Sequence, residues 1–402
     1  MMKSSKNYVP NFISFLLVIF VSLQANIAKA NTLEDLILHA SEQHTNKQGS
    51  DKTAHSKKVI MIVSSYGEQQ GQVKPGYEFD EFAKAYNVFK VNGIEVDVAS
   101  PKGGKVEADK FDAQKPYNMP VLADEIVMAK LNNTLKTAEL NAKAYDGIFI
   151  VGGKGAMFDL PKDKALQAVI ADIYQQQGSV AAVCHGPAAL VDVKLDDGSY
   201  LIANKVINGF TNKEERLFGK KWLSHFDFML EDKLIERGAK FQSSEIMLSH
   251  VAIDERLVTG QNPTSTTDVA NALVKKLGLT PVNITPDVDD KTLAVVAQYL
   301  KGDTLALQQL KDNQEDYHLA LVGMYGFYYL KGAQTDADFG HALALMLVAQ
   351  KTINNPTLDM QIAQTQHTLG KTDDAKVTLE TLLSVKPDHQ PAKEMLKTLT
   401  LP

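Results

Sequence analysis

The sequence predicts a doubly wound, mostly parallel α/β sheet followed by a small all-helical domain. Three observations carry this. Short apolar runs alternate with segments of helical periodicity between residues 57 and 278. One of those runs leads straight into the only cysteine. Residues 279–290 are rich in Pro, Asn and Asp, and beyond them glycine is sparse and helical spacing dominates. Parallel strands covered on both faces read as unbroken apolar runs. Strands alternating with helices imply βαβ units.

The first strand is Val59-Ile60-Met61-Ile62-Val63-Ser64. A helix is predicted over 78–92, where Phe79, Phe82, Ala83, Tyr86 and Phe89 recur at three and four. Gly93 stops it by supplying a left-handed residue past the C-cap. Residues 94–99 alternate as a strand, 147–151 form a buried run, and 163–177 form an amphipathic helix closed by Gly178. A strand over 180–183 ends at Cys184. Asp196-Asp197-Gly198 is expected to turn a hairpin between 193–195 and 200–202. A strand over 256–260 and a helix over 266–277 complete the first domain near Gly278.

After the 279–290 linker, residues 291–311 and 316–331 have helical spacing. Leu369-Gly370-Lys371, Ala375, Leu379, Leu382, Val385 and Pro387 match the second half of a tetratricopeptide repeat, and Ile362 and Ala363 fit its first helix. Tyr325, Gly332, Ala344 and Pro356 suggest a degenerate earlier copy. The expectation for 291–402 is two or so helical hairpins with a terminal helix. An irregular helical extension packed on the first domain is the alternative.

The N-terminus reads as a signal peptide over 1–30. Lys3 and Lys6 precede the apolar stretch 12–21, and Ala28-Lys29-Ala30 is a small-x-small cleavage site. The apolar run is short for a bilayer span, which needs ~20 residues; an uncleaved anchor is the alternative. Export follows: periplasmic in a bacterium, secreted otherwise, with no membrane attachment after cleavage. Residues 31–56 form a polar leader with one short helix over 33–40. Removing residues 1–30, with three lysines and no acid, moves the formal charge from −6 to −9. An acidic chain lacks the basic stripe that nucleic-acid binding requires.

A single cysteine cannot form an internal disulfide, so it is either inert in the core or reactive. Its surroundings favour reactivity. The segment Val180-Ala181-Ala182-Val183-Cys184-His185-Gly186-Pro187 runs from a buried strand into a turn of small residues, as a nucleophile elbow needs. The sulfur is expected at the N-terminus of the next helix, where the helix dipole would depress its pKa. Val151-Gly152-Gly153-Lys154-Gly155 follows another buried strand, and its backbone N–H groups can serve an oxyanion. Alone, that glycine cluster would equally suit a structural turn.

These residues carry a family resemblance. Val151-Gly152-Gly153-x-Gly155-Ala156-Met157-x-Asp159-Leu160, the Cys184 elbow, Gly209-Phe210-Thr211-Asn212-x-Glu214-Glu215 and Leu257-Val258-Thr259-Gly260-Gln261-Asn262-Pro263 resemble the ThiJ/PfpI superfamily. The branch is the one with glyoxalase III and heat-shock holdase members, inside the class I glutamine amidotransferase-like fold. The resemblance covers 57–278 and implies a flavodoxin-like sheet. It implies Cys184 as nucleophile, His185 as its neighbour, Glu215 as the group orienting the imidazole and Glu81 as a carboxyl of raised pKa beside the sulfur. Gly153, Lys154 and Gly186 would contribute the oxyanion and substrate-binding side. Lys154 departs from the histidine usual in that branch and adds positive charge near the pocket.

The implied activity is conversion of methylglyoxal or a similar 2-oxoaldehyde to a 2-hydroxy acid, D-lactate, without glutathione, cofactor or metal. The alternatives are an envelope chaperone or redox-stress protein binding a protein partner through its helical tail, or a peptidase or deglycase using the same thiolate. The sequence speaks against a true glutaminase, because His250 is followed by Val251-Ala252, not by the Pro-Glu of that class. By analogy the resemblance also implies a homodimer.

Overall fold

The computed structural model describes residues 56–400. The predicted signal peptide and nearly all of the leader lie outside the described residues. Seven strands form one sheet: β1 (Lys58–Ile62), β2 (Glu95–Ser100), β3 (Leu135–Lys136), β4 (Gly147–Ile150), β5 (Ser179–Val183), β8 (Val251–Asp254) and β9 (Leu257–Gly260). Their order is β3-β2-β1-β4-β5-β9-β8, parallel except for the β8–β9 hairpin at one edge. β6 (Val206–Ile207) and β7 (Lys240–Phe241) form a separate parallel pair. The chain lays β2 and β3 on one side of β1, then returns to place β4 on the other. The carboxyl ends of β1, β4 and β5 therefore flank a topological switch point, where α/β sheets bind ligands.

Local chemistry explains the helices. α1 (Phe79–Val91) packs its Phe79, Phe82, Ala83, Tyr86 and Phe89 face into the core and stops before Gly93, whose φ is +66°. α2 (Met119–Ala123), α3 (Glu125–Asn132) and α4 (Ala156–Asp159) are short. α5 (Lys164–Gln175) is capped by Asp163, whose side chain accepts from the N–H groups of Ala165 and Leu166. α6 (Asn212–Phe218) begins with a Thr211/Glu214 capping box. α7 (Leu230–Glu236) and α8 (Thr266–Lys276) complete the α/β region.

The helical region contains α9 (Val288–Leu300), α10 (Thr304–Asp312), α11 (Leu319–Leu330), α12 (Asp336–Gln350), α13 (Pro356–Thr368), α14 (Thr372–Val385) and α15 (Gln390–Thr400). Ala375, Leu379 and Leu382 of α14 bury against Met360 and Ala363 of α13 and Ala392 of α15. Three expectations need correction. α9 starts inside the predicted linker, because Asp287 caps it by accepting from the N–H groups of Asp289 and Asp290. The long helix expected over 291–311 breaks at Gly302, whose φ of +102° ends α9. The expected hairpin around Gly198 reduces to a tight turn with one bridge, Lys194 to Tyr200.

Phe149 on β4 is fully buried and meets Phe89 of α1 edge-on, with ring centroids 5.5 Å apart. Phe149→Ala should cost about 3–5 kcal/mol of stability, the usual range for an aromatic deleted from a core. Urea unfolding of the variant would measure it.

Candidate active site

Cys184 stands one residue past β5 with φ +59°, a left-handed conformation that a non-glycine residue rarely adopts. Both of its peptide groups are pinned. Its N–H donates to Gly260 O at 2.9 Å, and its carbonyl accepts from Phe210 N–H at 2.8 Å. The helix expected after it is a five-residue 3-10 helix, Gly186–Leu190. The axial dipole at the sulfur is correspondingly weak. A side chain on Gly186 would strike the Ile150 carbonyl. The role of this glycine is to let the elbow lie on β4.

The four residues predicted to do chemistry come together. The Cys184 sulfur lies 3.3 Å from His185 Nδ1, and His185 Nε2 lies 2.7 Å from Glu215 Oε2. Both ring nitrogens are thereby engaged, and Phe210 packs against the ring at 4.5 Å. Glu81, on α1, approaches the sulfur from another side. Its Oε2 accepts the Gly152 N–H at 2.7 Å, and its Oε1 has no hydrogen-bond partner among the described residues. A side chain at Gly152 would lie 2.7 Å from that Oε2 and 2.8 Å from Cys184 Cβ, so only glycine lets this carboxyl reach the cysteine.

The electrostatics reverse one expectation. The Cys184 thiol is pushed well above its ordinary value, first by burial, then by the negative charge of the Glu81 carboxyl. The Gly153 N–H and the Lys154 ammonium pull the other way. Glu81 is itself raised well above the carboxylate range by burial and by the negative charge of Glu78. Glu81 therefore tends to keep its proton, and its unpartnered Oε1 is the natural seat for it. A neutral carboxyl is a hydrogen-bond donor that favours a thiolate beside it, whereas an ionised one opposes it. Lys154 is half-buried and acts on Cys184, Glu78 and Asp109 alike.

Sequence reasoning missed several residues. Glu214 is fully buried and ties the quoted motifs together: its Oε2 accepts from Thr211 Oγ1 at 2.7 Å, and its Oε1 from Met247 N, Gln261 Nε2 and Asn262 Nδ2 at 2.7, 3.1 and 2.9 Å. The T-x-x-E spacing of Thr211 and Glu214 was its only local signal. Gly219 lacks the side chain that would collide with Glu215 Oε1, so the carboxyl can fold back over the end of α6. Asp159 accepts from Ser64 Oγ and Ser65 N–H and is raised to about 6, chiefly by burial. Glu78 is raised to about 7 by burial and by the nearby charges of Asp80 and Asp109.

Because Glu78 and Asp159 bind a proton more tightly folded than unfolded, their contribution to stability is full below their unfolded pKa values, about 4. It is lost as pH rises through about 6 and 7. Glu78→Gln should therefore flatten the decline in urea midpoint between about pH 5 and pH 8. An unchanged slope would mean that Glu78 is solvated.

Comparison with known proteins follows this geometry. Residues 57–276 match the DJ-1/PfpI family. A glutathione-independent glyoxalase of Schizosaccharomyces pombe is 31% identical over 244 residues, which is 56% of this chain and 99% of that protein. A glutathione-independent glyoxalase of Saccharomyces cerevisiae is 33% identical over 232 residues, 52% of this chain and 93% of that protein. Among solved structures, glyoxalase III from Candida albicans aligns with a TM-score of 0.51 and 27% identity, covering 55% of this chain and 98% of that one. The Rapid Encystment Protein 24 KDa of Francisella tularensis aligns with a TM-score of 0.51 and 34% identity, covering 55% and 99%.

Proposed function

Because the chain belongs to the DJ-1/PfpI family, we propose that it is a cysteine-dependent, cofactor-free glyoxalase of the glyoxalase III type, acting on methylglyoxal or a similar 2-oxoaldehyde. The observation that carries this is the hydrogen-bonded line from Glu215 through His185 to the Cys184 sulfur, with the Glu81 carboxyl on another side of that sulfur. The names of the relatives support the same activity class.

In this mechanism His185 Nδ1 takes the thiol proton and the resulting imidazolium is paired with Glu215. The thiolate attacks the aldehyde carbon, and the oxygen formed takes a proton to give a hemithioacetal. Glu81 or His185, whichever gave that proton and is now a free base, removes the hydrogen on that carbon and returns it to the neighbouring carbonyl carbon, while the hydroxyl proton passes to the ketone oxygen. The product is a 2-hydroxyacyl thioester of Cys184. Water attacks it, releasing the 2-hydroxy acid and restoring the thiolate. The sum is 2-oxoaldehyde plus water to 2-hydroxy acid, with no net redox change. The Gly153 N–H, which acts on the sulfur, is suited to stabilise oxygen charge formed next to it. Lys154 adds a cation at the same mouth and favours an anionic or more polar substrate.

The remaining expectations belong to this proposal: export by residues 1–30, a tetratricopeptide-like repeat in the last helices, a protein partner there, and a homodimer. The redox-sensor alternative calls on the same buried thiolate, and it gives no part to the His185–Glu215 pair aligned on that sulfur.

D-lactate release from methylglyoxal without glutathione tests the proposal. Cys184→Ser should lower kcat by about 10³-fold or more. Glu215→Gln should lower it by about 10²-fold, the lower end for a misplaced general base. Retained turnover in Cys184→Ser would sink the covalent mechanism.

A further inference from the structure

The two carboxylates of the site come from two helices, Glu81 from α1 and Glu215 from α6, and the helical region grips both. On α1, Lys84 lies three residues beyond Glu81, one turn along the helix. Its ammonium sits 2.7 Å from both oxygens of Asp290 and 3.1 Å from Asp287, at the N-terminus of α9. The pair is largely closed to water, with side-chain exposures of 10% for Lys84 and 16% for Asp290. The end of α1 is held as well: Val282 N–H donates to Asn92 Oδ1 at 2.8 Å.

On α6, Phe218 packs on Tyr328 of α11 with ring centroids 4.8 Å apart, and the Lys213 ammonium lies 5.8 Å from the Tyr329 ring. The loop beside α6 enters the helical core outright. Ile246 and Leu248 are buried with Leu319, Val322 and Tyr325 of α11. Between them, Met247 N–H donates to Glu214, the residue preceding Glu215.

We propose that the helical domain is a cross-brace that fixes α1 against α6, so that Lys84 and Phe218 are positioning residues for the Glu81–Cys184–His185–Glu215 line. The functional consequence rests on the glyoxalase reading, but the brace itself is readable without turnover. Cys184 is the only cysteine, so its iodoacetamide alkylation rate reports the site directly. The groups that set that rate are Glu81, His185 and Lys154, with Glu78 acting through Glu81.

The experiment measures alkylation between pH 5 and pH 9 and methylglyoxal turnover in the full chain. Lys84→Met and Phe218→Ala release the two ties separately, Lys84→Arg restores the first, and Leu382→Ala weakens the α13–α14 packing away from both. Loosening admits water to a thiol whose ionisation is opposed mainly by burial. Each release should therefore raise the alkylation rate at pH 7 by about tenfold, one unit of pKa, and lower kcat by about tenfold with KM within threefold. Lys84→Arg and Leu382→Ala should stay within threefold of wild type in both. If one release variant fails to fold, judged by circular dichroism, the other decides. Alkylation and kcat within twofold of wild type in a folded release variant would overturn the brace, as would a Leu382→Ala effect equal to that of the ties. A wild type that does not turn over methylglyoxal, with alkylation still shifted by the releases, would remove the glyoxalase reading and leave the brace standing.

Discussion

The left-handed backbone at Cys184 is the constraint around which the rest is arranged. Holding a non-glycine residue there costs about 1–3 kcal/mol, and the surrounding structure over-determines it. Gly260 O and Phe210 N–H fix its two peptide groups, so β9 and the loop before α6 must both be in place. Gly152 must lack a side chain for Glu81 to arrive, and Gly186 must lack one for the elbow to rest on β4. The strain turns the sulfur out of the sheet toward the carboxyl ends of β1, β4 and β5. A strand residue in ordinary conformation would have put it into one of the two packed faces.

Burial does two opposing things here. It excludes water from the line of groups, which strengthens each hydrogen bond, and it opposes ionisation of Glu81 and Cys184. The pairing works because the two charges need not coexist. Glu81 keeps its proton, so it supports a negative sulfur in place of repelling it. Glu215 meets Nε2 of the ring whose Nδ1 meets the sulfur. Glu214, equally buried, holds α6 to the loops at 247 and 261–262 through three donors, Met247 N–H, Gln261 Nε2 and Asn262 Nδ2.

Much of this was legible in the sequence because it is local. A strand ending in Cys-His-Gly-Pro, a glycine cluster after the neighbouring strand and a T-x-x-E-E helix start each describe their own geometry within ten residues. The misplaced features depend on distant partners or on short-range competition. The helical spacing over 291–311 runs across Gly302, yet Asp303 caps α10 directly after it. The thiol's direction of shift depended on desolvation, which no spacing rule encodes. Glu78 and Asp109 lie 31 residues apart in the chain and become neighbours only through the turn at Gly76, whose N–H donates to Asp109.

The docking of α9, α11 and their neighbours onto α1 and α6 also has a meaning in time. A ribosome releases residue 81 long before residue 290, and domains fold as they emerge. The sheet and the elbow can therefore assemble while the last third of the chain is still being made, but the two helices that flank the sulfur gain their outer support only at the end. Completion of the polypeptide becomes a condition for completion of the site. The lone thiol is thereby fully set only once the chain is complete, and a truncated chain would carry Cys184 without the outer support of α1 and α6.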